Sequence, residues 1–428
     1  MQRKVLVREG RGKNVRKLAT TWCIRGGIFC LLAIVSSCQA VPLKNTNLNE
    51  VAKVESSAAL CETELAAIWT NFPAARANHC EITAPNKLVL TISPENQPIN
   101  KSAWYGFKIV PKRASIKHGS ILYVNLKYAY GHHRYSPKIS YDGKNWVLLD
   151  PAKIEILSKT NVRLSIPLDD RPVMIAAQEI FSNSAHNQWA ENLASTTKSN
   201  IGKSVEGRPI YKLETRSGSA KKPYVFIVGR QHPPETTGAL ALMPFVETLL
   251  GDTVLAHRFR DKYGVIIVPN INPDGVWHGH WRHNINGIDL NRDWGPFTQP
   301  ETKAIENELK RFKEGGDKIV LFLDFHSTYR NLFYTQTDGE PTRPANFSRD
   351  WLGAANARLG DNIYAFTREQ SPNSGKPTSK NYMYSRYKIP AITYEVGDKT
   401  DRDAIALAAE IFASEMMKKL IEWNPSHE

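Results

Sequence analysis

Cysteine is scarce in this chain and is confined to its N-terminal part. Five of the 428 residues are cysteine, and the last of them is Cys80. The chain beyond Cys80 therefore lacks a thiol nucleophile and a thiolate ligand for a metal ion. A Gly-x-Ser-x-Gly segment, which commonly presents a nucleophilic serine, is also missing. Any bond-breaking chemistry in this region must depend on other side chains.

Concentrated charge of one sign is missing as well, except at the N-terminus. Residues 1–37 contain eight Lys or Arg and one Glu, which account for half of the formal net charge of +14. The remaining Lys and Arg residues are spread along the chain. Because a nucleic-acid-binding surface needs a basic patch, this distribution favours an ordinary solvated surface. We predict no nucleic-acid partner.

The N-terminus has the pattern of an export signal, which we assign to residues 1–37. Its apolar run, residues 27–35, follows a basic segment and is too short to span a bilayer as a mature helix. The segment Val-Ser-Ser-Cys resembles a bacterial lipobox, which implies a lipid anchor on Cys38 and a location in the periplasm or outer membrane. A plain secretory signal that ends near Ala40 is the alternative, and in either case the mature chain lies outside the cytoplasm.

Two cysteines remain once the signal and Cys38 are set aside. In an exported chain, two such cysteines close in sequence most simply form a disulfide. We therefore predict a tether over residues 38–85 that contains a disulfide between Cys61 and Cys80.

Residues 86–185 have the pattern of an antiparallel β-sandwich. Short alternating or apolar runs such as KLVLTIS, ILYVNLKYAY and VRLSIPL are separated by turn residues, and no helical period is present. The aromatic residues between Tyr128 and Trp146 have two interpretations. They either bind a polymer such as carbohydrate by stacking, or pack in hairpin turns and in the core.

Strands and helices alternate from Tyr224 onward. The runs YVFIV, YGVIIVPN, KIVLFLDF and AITYEV predict strands, whereas TGALALMPFVETLLG and residues 404–423 predict helices. We therefore expect an α/β domain over residues 190–428, with a mostly parallel mixed sheet flanked by helices. In such a sheet the carboxyl ends of the strands form the ligand-binding edge.

Three potential metal ligands lie at strand ends. His232 and Glu235 follow YVFIV, and the two prolines between them prevent an ordinary helix across the pair. His326 ends the apolar run KIVLFLDFH. A catalytic zinc ion takes three His or carboxylate ligands and leaves a fourth position open. An HxxE pair alone is common by chance, but together with His326 and the segments described next it predicts a site for one Zn²⁺ ion.

Two further segments carry a resemblance to a known family. NPDGVWHGHWRHNINGIDLNRDW, residues 272–294, and PAITYEVGD, residues 390–398, resemble the zinc carboxypeptidases of the M14 type. The order of residues in these segments, and in GRQHPPET, is most similar to that of the cytosolic-carboxypeptidase branch and its bacterial relatives. The resemblance covers roughly residues 190–428 and implies a carboxypeptidase-like fold and a peptide substrate with a free C-terminal carboxylate.

The resemblance also implies roles for four residues. Asn291 and Arg292 would bind the C-terminal carboxylate, and Arg282 would polarise the scissile carbonyl. These roles agree with the chemistry of guanidinium groups, which bind carboxylates through two hydrogen bonds and stabilise oxyanions. Glu395 would take a proton from the attacking water and deliver it to the leaving amine, which requires a carboxylate with a pKa near neutrality.

Substrate preference is indicated only by lysines that precede Glu395. Lys376 and Lys380 lie where the family forms its pocket for the terminal side chain, and Lys380 there would favour acidic C-terminal residues, wall peptides included. Ordinary solvated loop lysines are the alternative. The family's mobile lid tyrosine has no counterpart in residues 371–375, and none of the nearby tyrosines can take its role from sequence: Tyr364, Tyr382 and Tyr384. Asn291 and Arg292 are called the clamp below. We interpret the histidines that precede the clamp as loop residues: His278, His280 and His283.

Two other functions remain open at this point. The same fold could carry an amidase or deacylase that acts on small N-acyl amino acids. Alternatively, the chain could be a cell-wall-binding module with a silent site, which recognises polymer through the β-sandwich. The complete set of ligands, base and clamp argues against a silent site.

The lipid anchor gives a first testable prediction. Mass spectrometry of the mature chain should find Cys38 at the N-terminus with a lipid mass attached. A Cys38→Ser variant should lack this mass and should leave the membrane fraction, since its anchor would be missing. A native chain that begins after Cys38 and carries no lipid would contradict the prediction.

Overall fold

The computed structural model describes residues 58–96, 98–215, 222–360 and 362–424. The expected signal peptide and the expected lipid anchor at Cys38 lie outside these residues. Among the described helices no single one is long and apolar enough to cross a membrane, although two that meet at 86°, Thr236–Leu250 and Val254–Lys262, together have sufficient length and apolar composition.

The N-terminal part is built from two β-sheets that pack face to face. Its strands are β1 (Cys61–Glu62), β2 (Ala66–Trp69), β3 (His79–Ala84), β4 (Lys87–Ile92), β5 (Gly106–Pro111), β6 (Ile121–Tyr128), β7 (Lys138–Ser140), β8 (Val147–Leu148), β9 (Ile154–Ser158), β10 (Asn161–Pro167) and β11 (Val173–Ala176). One sheet has the order β1-β2-β5-β11-β7-β8, and the other has the order β3-β4-β6-β10-β9.

Alternation along the strands explains the sandwich core. In β6 the side chains of Leu122, Val124 and Leu126 point inward and are fully buried, whereas the residues between them are more exposed. Tyr128 and Tyr135 are also buried in this core. The alternative in which these aromatic residues pack in the core therefore applies to them, while Tyr141 is exposed.

The structure corrects one of the sequence-based boundaries. The segment expected to be a tether contributes β1, β2 and β3, because Ala66 and Ile68 are fully buried in the sandwich core. The sandwich therefore extends back to Cys61, whose disulfide with Cys80 joins β1 to β3. The predicted antiparallel sandwich is confirmed, and among its described strand pairs only β4 and β6 run parallel, with the intervening β5 in the other sheet.

The C-terminal part is a mixed sheet covered by helices on both faces. Its strands are β12 (Thr196–Lys203), β13 (Pro209–Thr215), β14 (Tyr224–Gly229), β15 (Gly264–Val268), β16 (Ile319–Thr328), β17 (Leu332–Thr335), β18 (Thr367–Gln370) and β19 (Ala391–Gly397). Its helices are α1 (Asn183–Glu191), α2 (Thr236–Leu250), α3 (Val254–Lys262), α4 (Pro273–His278), α5 (Pro300–Gly315), α6 (Phe347–Leu359), α7 (Ser379–Tyr387) and α8 (Arg402–Glu422).

The sheet order is β12-β13-β15-β14-β16-β19-β17-β18. The four strands β15, β14, β16 and β19 run parallel to one another, as β17 and β18 do, and the remaining pairs are antiparallel. This confirms the predicted mostly parallel mixed sheet. Every residue of β14 is buried, because α2, α3, α6 and α8 pack on one face of the sheet and α5 and α7 on the other.

Candidate active site

The predicted metal ligands and Glu395 meet at the carboxyl ends of three adjacent parallel strands, β14, β16 and β19. His232 and Glu235 lie on the loop between β14 and α2, with Glu235 as the residue that caps α2. His326 lies on β16, and the register of the sheet sets it directly beside Glu395 on β19. One ligand atom from each of His232, Glu235 and His326 lies within 4.8 Å of the others.

The two imidazoles present the same ring nitrogen to Glu235. His232 Nδ1 lies 2.8 Å from one carboxylate oxygen of Glu235, and His326 Nδ1 lies 2.7 Å from the other. Gly238 makes this close approach possible, because a Cβ atom there would lie 2.6 Å from the backbone oxygen of His326. The start of α2 therefore contacts β16 without an intervening side chain.

The opposite ring nitrogens are held by two further carboxylates, which the sequence analysis did not identify as site residues. His232 Nε2 lies 3.0 Å from Asp289 Oδ1, and His326 Nε2 lies 2.8 Å from Asp324 Oδ2. A carboxylate at Nε2 favours the proton on that nitrogen and leaves the lone pair of Nδ1 for a metal ion. The spacing Asp324-x-His326 on a strand, where alternate side chains share a face, was an available signal.

This arrangement fits a divalent metal ion. The donor set of two imidazoles and one carboxylate is the set that zinc takes in catalytic sites. Glu235, Asp289 and Asp324 together bring three carboxylates to two histidines, so the cluster carries negative charge that a cation would balance. Oxygen Oδ1 of Asp324 is buried without a hydrogen-bond partner.

Arg282 and the two predicted clamp residues, Asn291 and Arg292, line the cavity that opens over these ligands. The cavity has a volume of about 500 Å³, and Arg282, Asn291 and Arg292 all contribute to its wall. Asn291 is held in place, since its backbone N–H donates to Asp289 Oδ1 at 3.0 Å and its side-chain oxygen accepts from Ser379 N at 2.9 Å. The Arg292 side chain is exposed, and its Nη1 donates to the backbone oxygen of Asn291.

Asp289 also fixes Arg282, one of the cationic groups of the cavity wall. Its Oδ2 accepts a hydrogen bond from Arg282 Nε at 2.7 Å, while its Oδ1 contacts His232. Burial alone would raise the pKa of this carboxyl, but His232 and Arg282 hold it far below its usual range. One carboxylate thus orients both a metal ligand and the cavity arginine.

Glu395 has the environment expected of an acid–base residue. It lines the cavity, its Oε2 is buried without a hydrogen-bond partner, and burial raises its pKa to about 7. His326 opposes this increase in pKa and Glu235 adds to it. A carboxyl that titrates near neutrality is able to accept a proton and then donate it at physiological pH.

The lysine proposed as a specificity residue also faces this cavity. Lys380 is 6% exposed, and its Nζ donates to the backbone oxygen of Ser371 at 2.7 Å. Burial lowers the pKa of Lys380, and Glu340 opposes the decrease. Lys376 lines the same wall. Both lysines of this segment therefore reach the cavity.

The tyrosines in the cavity wall are not those considered from sequence. Tyr364 is buried and hydrogen-bonds to Tyr394, while Tyr382 packs against Trp294 and Phe297. Like the buried Tyr384, neither lines the cavity. The tyrosines that do so are Tyr334 on β17 and Tyr135 on the loop between β6 and β7.

The sandwich contributes a second cavity residue beside Tyr135, which the sequence did not reveal. Arg134 lines the cavity, and its Nε and Nη2 lie 2.8 and 2.7 Å from Asp398 Oδ2. The central carbon of its guanidinium also lies 5.2 Å from the ring centroid of Tyr135 and 5.2 Å from that of Trp281. The cavity is therefore bounded by both parts of the chain.

The three histidines before the clamp do not line the cavity. His278 is the last residue of α4 rather than a loop residue, and it pairs with Glu206. His280 and His283 are buried in the loop that follows, where His280 Nδ1 contacts the backbone oxygen of His283.

The fold and the metal-ligand cluster together define a hydrolase site of the carboxypeptidase type. A sequence profile of the zinc carboxypeptidase family matches residues 186–415. The chain belongs to this family of zinc-dependent peptidases.

Curated relatives and solved structures agree with this membership. The chain is 31% identical to mouse cytosolic carboxypeptidase 6 over 145 residues, which cover 31% of this chain and 27% of that protein. It is 40% identical to mouse cytosolic carboxypeptidase 1 over 117 residues, or 26% and 10% of the two chains. The matched segments therefore span less than a third of either relative.

The structural likeness extends over most of the chain, sandwich included. A metallo-carboxypeptidase from Burkholderia cenocepacia superposes with a TM-score of 0.70 at 20% identity, covering 84% of this chain and 99% of that one. One from Pseudomonas aeruginosa, in complex with (2-guanidinoethylmercapto)succinic acid, has a TM-score of 0.66 at 21% identity and covers 83% and 98%. At these identities the likeness establishes the fold.

The contact between Asp324 and Nε2 of His326 gives a prediction for metal binding. The Asp324→Asn variant should bind zinc about 10- to 100-fold more weakly, because the amide no longer holds His326 in the required tautomer. Competition with a chromophoric chelator measures this affinity. The exposed Asp338→Asn serves as control and should bind like the native chain. Equal zinc affinity in Asp324→Asn and the native chain would show that Asp324 does not orient the ligand.

Proposed function

We propose that the protein is a zinc-dependent metallocarboxypeptidase that removes C-terminal residues from peptides, with a preference for acidic ones. The observation that carries this proposal is the composition of one cavity. The metal-ligand cluster, the carboxyl of Glu395 and the two clamp residues Asn291 and Arg292 all line it. A peptide whose C-terminal carboxylate reached the clamp would present its last peptide bond to the ligands and to Glu395.

The clamp binds the substrate by its charge and geometry. The guanidinium of Arg292 offers parallel N–H donors to a carboxylate, and Asn291 adds an amide. Because Asn291 is already fixed by Asp289 and Ser379, it adopts its binding position without losing further freedom. A substrate without a free terminal carboxylate would lack this interaction.

The chemical step uses groups on both sides of the scissile bond. When bound by His232, Glu235 and His326, zinc acts as a Lewis acid and lowers the pKa of water. Arg282 donates hydrogen bonds to the carbonyl oxygen as negative charge develops on it, and Asp289 holds the guanidinium in orientation. Glu395 takes a proton from the attacking water and transfers it to the nitrogen of the leaving amine.

Lys380 supports the preference for acidic C-terminal residues. Its buried ammonium group uses one donor on Ser371 and retains further donors on the cavity side. Lys376 adds a second positive charge to the same wall. A glutamate or aspartate side chain would compensate this charge, whereas an apolar side chain would leave it unpaired.

We also propose that the protein acts outside the cytoplasm, anchored by a lipid at Cys38. The N-terminal sequence pattern and the disulfide between Cys61 and Cys80 support an oxidising compartment. In that setting, wall peptides with acidic or amphoteric termini belong among the candidate substrates beside protein C-termini.

A peptide panel tests the activity and the role of Glu395. Residues 39–428, purified with zinc, should release one C-terminal residue at a time from peptides that end in each side-chain class, D-residues included. Glu395→Gln should lower kcat on the order of 10²- to 10⁴-fold while zinc content is retained, since only proton transfer is lost. Mass spectrometry of the products measures which residues are released and how fast.

The other outcomes of this panel are also informative. Release only from short N-acyl amino acids, independent of peptide length, would favour an amidase or deacylase. No release from any substrate, combined with binding to wall polymer, would favour a binding module with a silent site. Full activity of Glu395→Gln would exclude the proton transfer proposed for it.

The acidic preference has its own test in Lys380→Met, which keeps the length of the side chain and removes its charge. The ratio of kcat/KM for glutamate-ending over leucine-ending peptides should fall about 10- to 100-fold, since a charged hydrogen bond contributes about 1.5 to 3 kcal/mol. Lys376→Met is the matched control for a general loss of positive charge. An unchanged ratio in Lys380→Met would rule out Lys380 as the specificity residue.

A further inference from the structure

A carboxylate from the sandwich is bound by the loop that carries Arg282. Glu95 follows β4, and its side chain is completely buried. Its oxygens accept hydrogen bonds from three consecutive backbone N–H groups, those of Trp281 at 3.0 Å, Arg282 at 2.9 Å and His283 at 3.0 Å. Three N–H groups in succession that converge on one anion form a concave binding site for that anion.

Two side chains complete the environment of Glu95. Asn100 Nδ2 lies 2.9 Å and His283 Nδ1 lies 3.1 Å from its Oε1. Burial alone would raise the pKa of Glu95, but the hydrogen bonds from the side chain and backbone of His283 and from the backbone of Trp281 lower it below the ordinary range of a carboxyl. The group is therefore an anion in the folded protein, and its contacts with the loop are charge-assisted hydrogen bonds.

The sandwich also holds the beginning of the same loop. The backbone N–H of Ala74 donates to the oxygen of Trp277 at 2.8 Å, and Trp104 Nε1 donates to the oxygen of Ala74 at 2.9 Å. Gly279 turns the chain with φ of 61°, and a Cβ atom there would lie 2.8 Å from the oxygen of Ala74. At Gly279 the chain therefore has no space for a side chain on its sandwich side.

The contacts with the sandwich restrain the backbone near Arg282, whereas Asp289 restrains its guanidinium group. The guanidinium Nε donates to Asp289 at 2.7 Å, and Asp289 in turn contacts the metal ligand His232. Arg282 is thus restrained at both ends of its side chain. Its remaining donors face the cavity that it lines.

We propose that Glu95 is a positioning residue for Arg282, so that the β-sandwich forms part of the catalytic machinery rather than only an attached domain. This inference rests on the proposed function, in which Arg282 stabilises the oxyanion. Donors that stabilise developing charge must be held in place before the reaction, and a displacement of about 1 Å can lower a rate by about 100-fold. Glu95 supplies this restraint from a position 187 residues away in sequence.

The test variant is Glu95→Gln in the full mature chain. Glutamine keeps the shape of the side chain but turns an NH₂ group towards backbone N–H donors, which should displace the loop. We expect kcat to fall about 10- to 100-fold with KM changed less than about 2-fold, because the clamp is untouched. Glu95→Asp, which keeps the charge, should recover part of the loss.

A matched control separates positioning from stability. Glu179 is a half-buried carboxylate with a 17% exposed side chain, which bridges the two parts of the chain through Lys138 at 2.6 Å and Arg402 at 2.9 Å but does not line the cavity. Glu179→Gln should lower the melting temperature comparably and leave kcat unchanged. An equal loss of kcat in both variants would mean that Glu95 acts through general stability, and would overturn the proposal.

Two further readouts would move only if Glu95 acts through Arg282. A phosphonate peptide analogue, whose oxyanion mimics the tetrahedral intermediate, should bind more weakly to Glu95→Gln by the same factor as kcat, while affinity for the released amino acid stays constant. In an Arg282→Ala background, Glu95→Gln should cause no additional loss. An additional loss equal to that in the native background would contradict the proposal.

The outcomes also distinguish a failure of this inference from a failure of the proposed function. If the native chain releases no residue from any peptide, the proposed function fails. If the native chain is active, Arg282→Ala is impaired and Glu95→Gln is indistinguishable from the native chain in kcat, the carboxypeptidase assignment stands and the positioning role of Glu95 is wrong.

Discussion

The candidate site depends on the parallel register of β14, β16 and β19. Parallel neighbours end at the same edge of a sheet, so the loop after β14 and the ends of the other two strands meet there. The register brings His326 directly beside Glu395. Because both faces of these strands are packed against helices, a slip by one residue would turn the site residues into the apolar layers. The packing of the core therefore determines the geometry of the site.

Charge balance is the second constraint at this edge. Each of the two imidazoles lies between Glu235 and a second carboxylate, Asp289 for His232 and Asp324 for His326. Buried carboxylates in this number are costly unless positive charge compensates them. The guanidinium of Arg282 supplies part of that compensation at Asp289, and a divalent cation at the three ligands would supply the rest. The same electrostatics that favour metal binding therefore also orient the cavity arginine.

The sequence predicted the parts of the site that are encoded locally. The pair His232 and Glu235, and the residues His326 and Glu395, each follow an apolar run that is recognisable as a buried strand. Asp324 lies inside such a run and was not identified, although its spacing to His326 was visible. Contacts between segments far apart in sequence, such as Glu95 with the loop at Arg282, carry no local signal. They depend on how the sandwich docks, and two of its first three strands give little signal, since β1 has only two residues and β3 is mostly polar.

The contacts between the sandwich and the C-terminal part include buried polar groups, and this indicates what the contacts do. Apolar contacts contribute stability without direction, whereas a buried carboxylate that accepts several N–H groups is satisfied in only one arrangement. Glu95 and the pair of Arg134 with Asp398 are contacts of this second kind, and both lie beside the cavity. With its backbone held by Glu95 and its guanidinium by Asp289, Arg282 keeps its free donors directed into the cavity. In the proposed reaction Arg282 would meet developing charge without first reorganising, which is the condition under which such donors contribute most to catalysis.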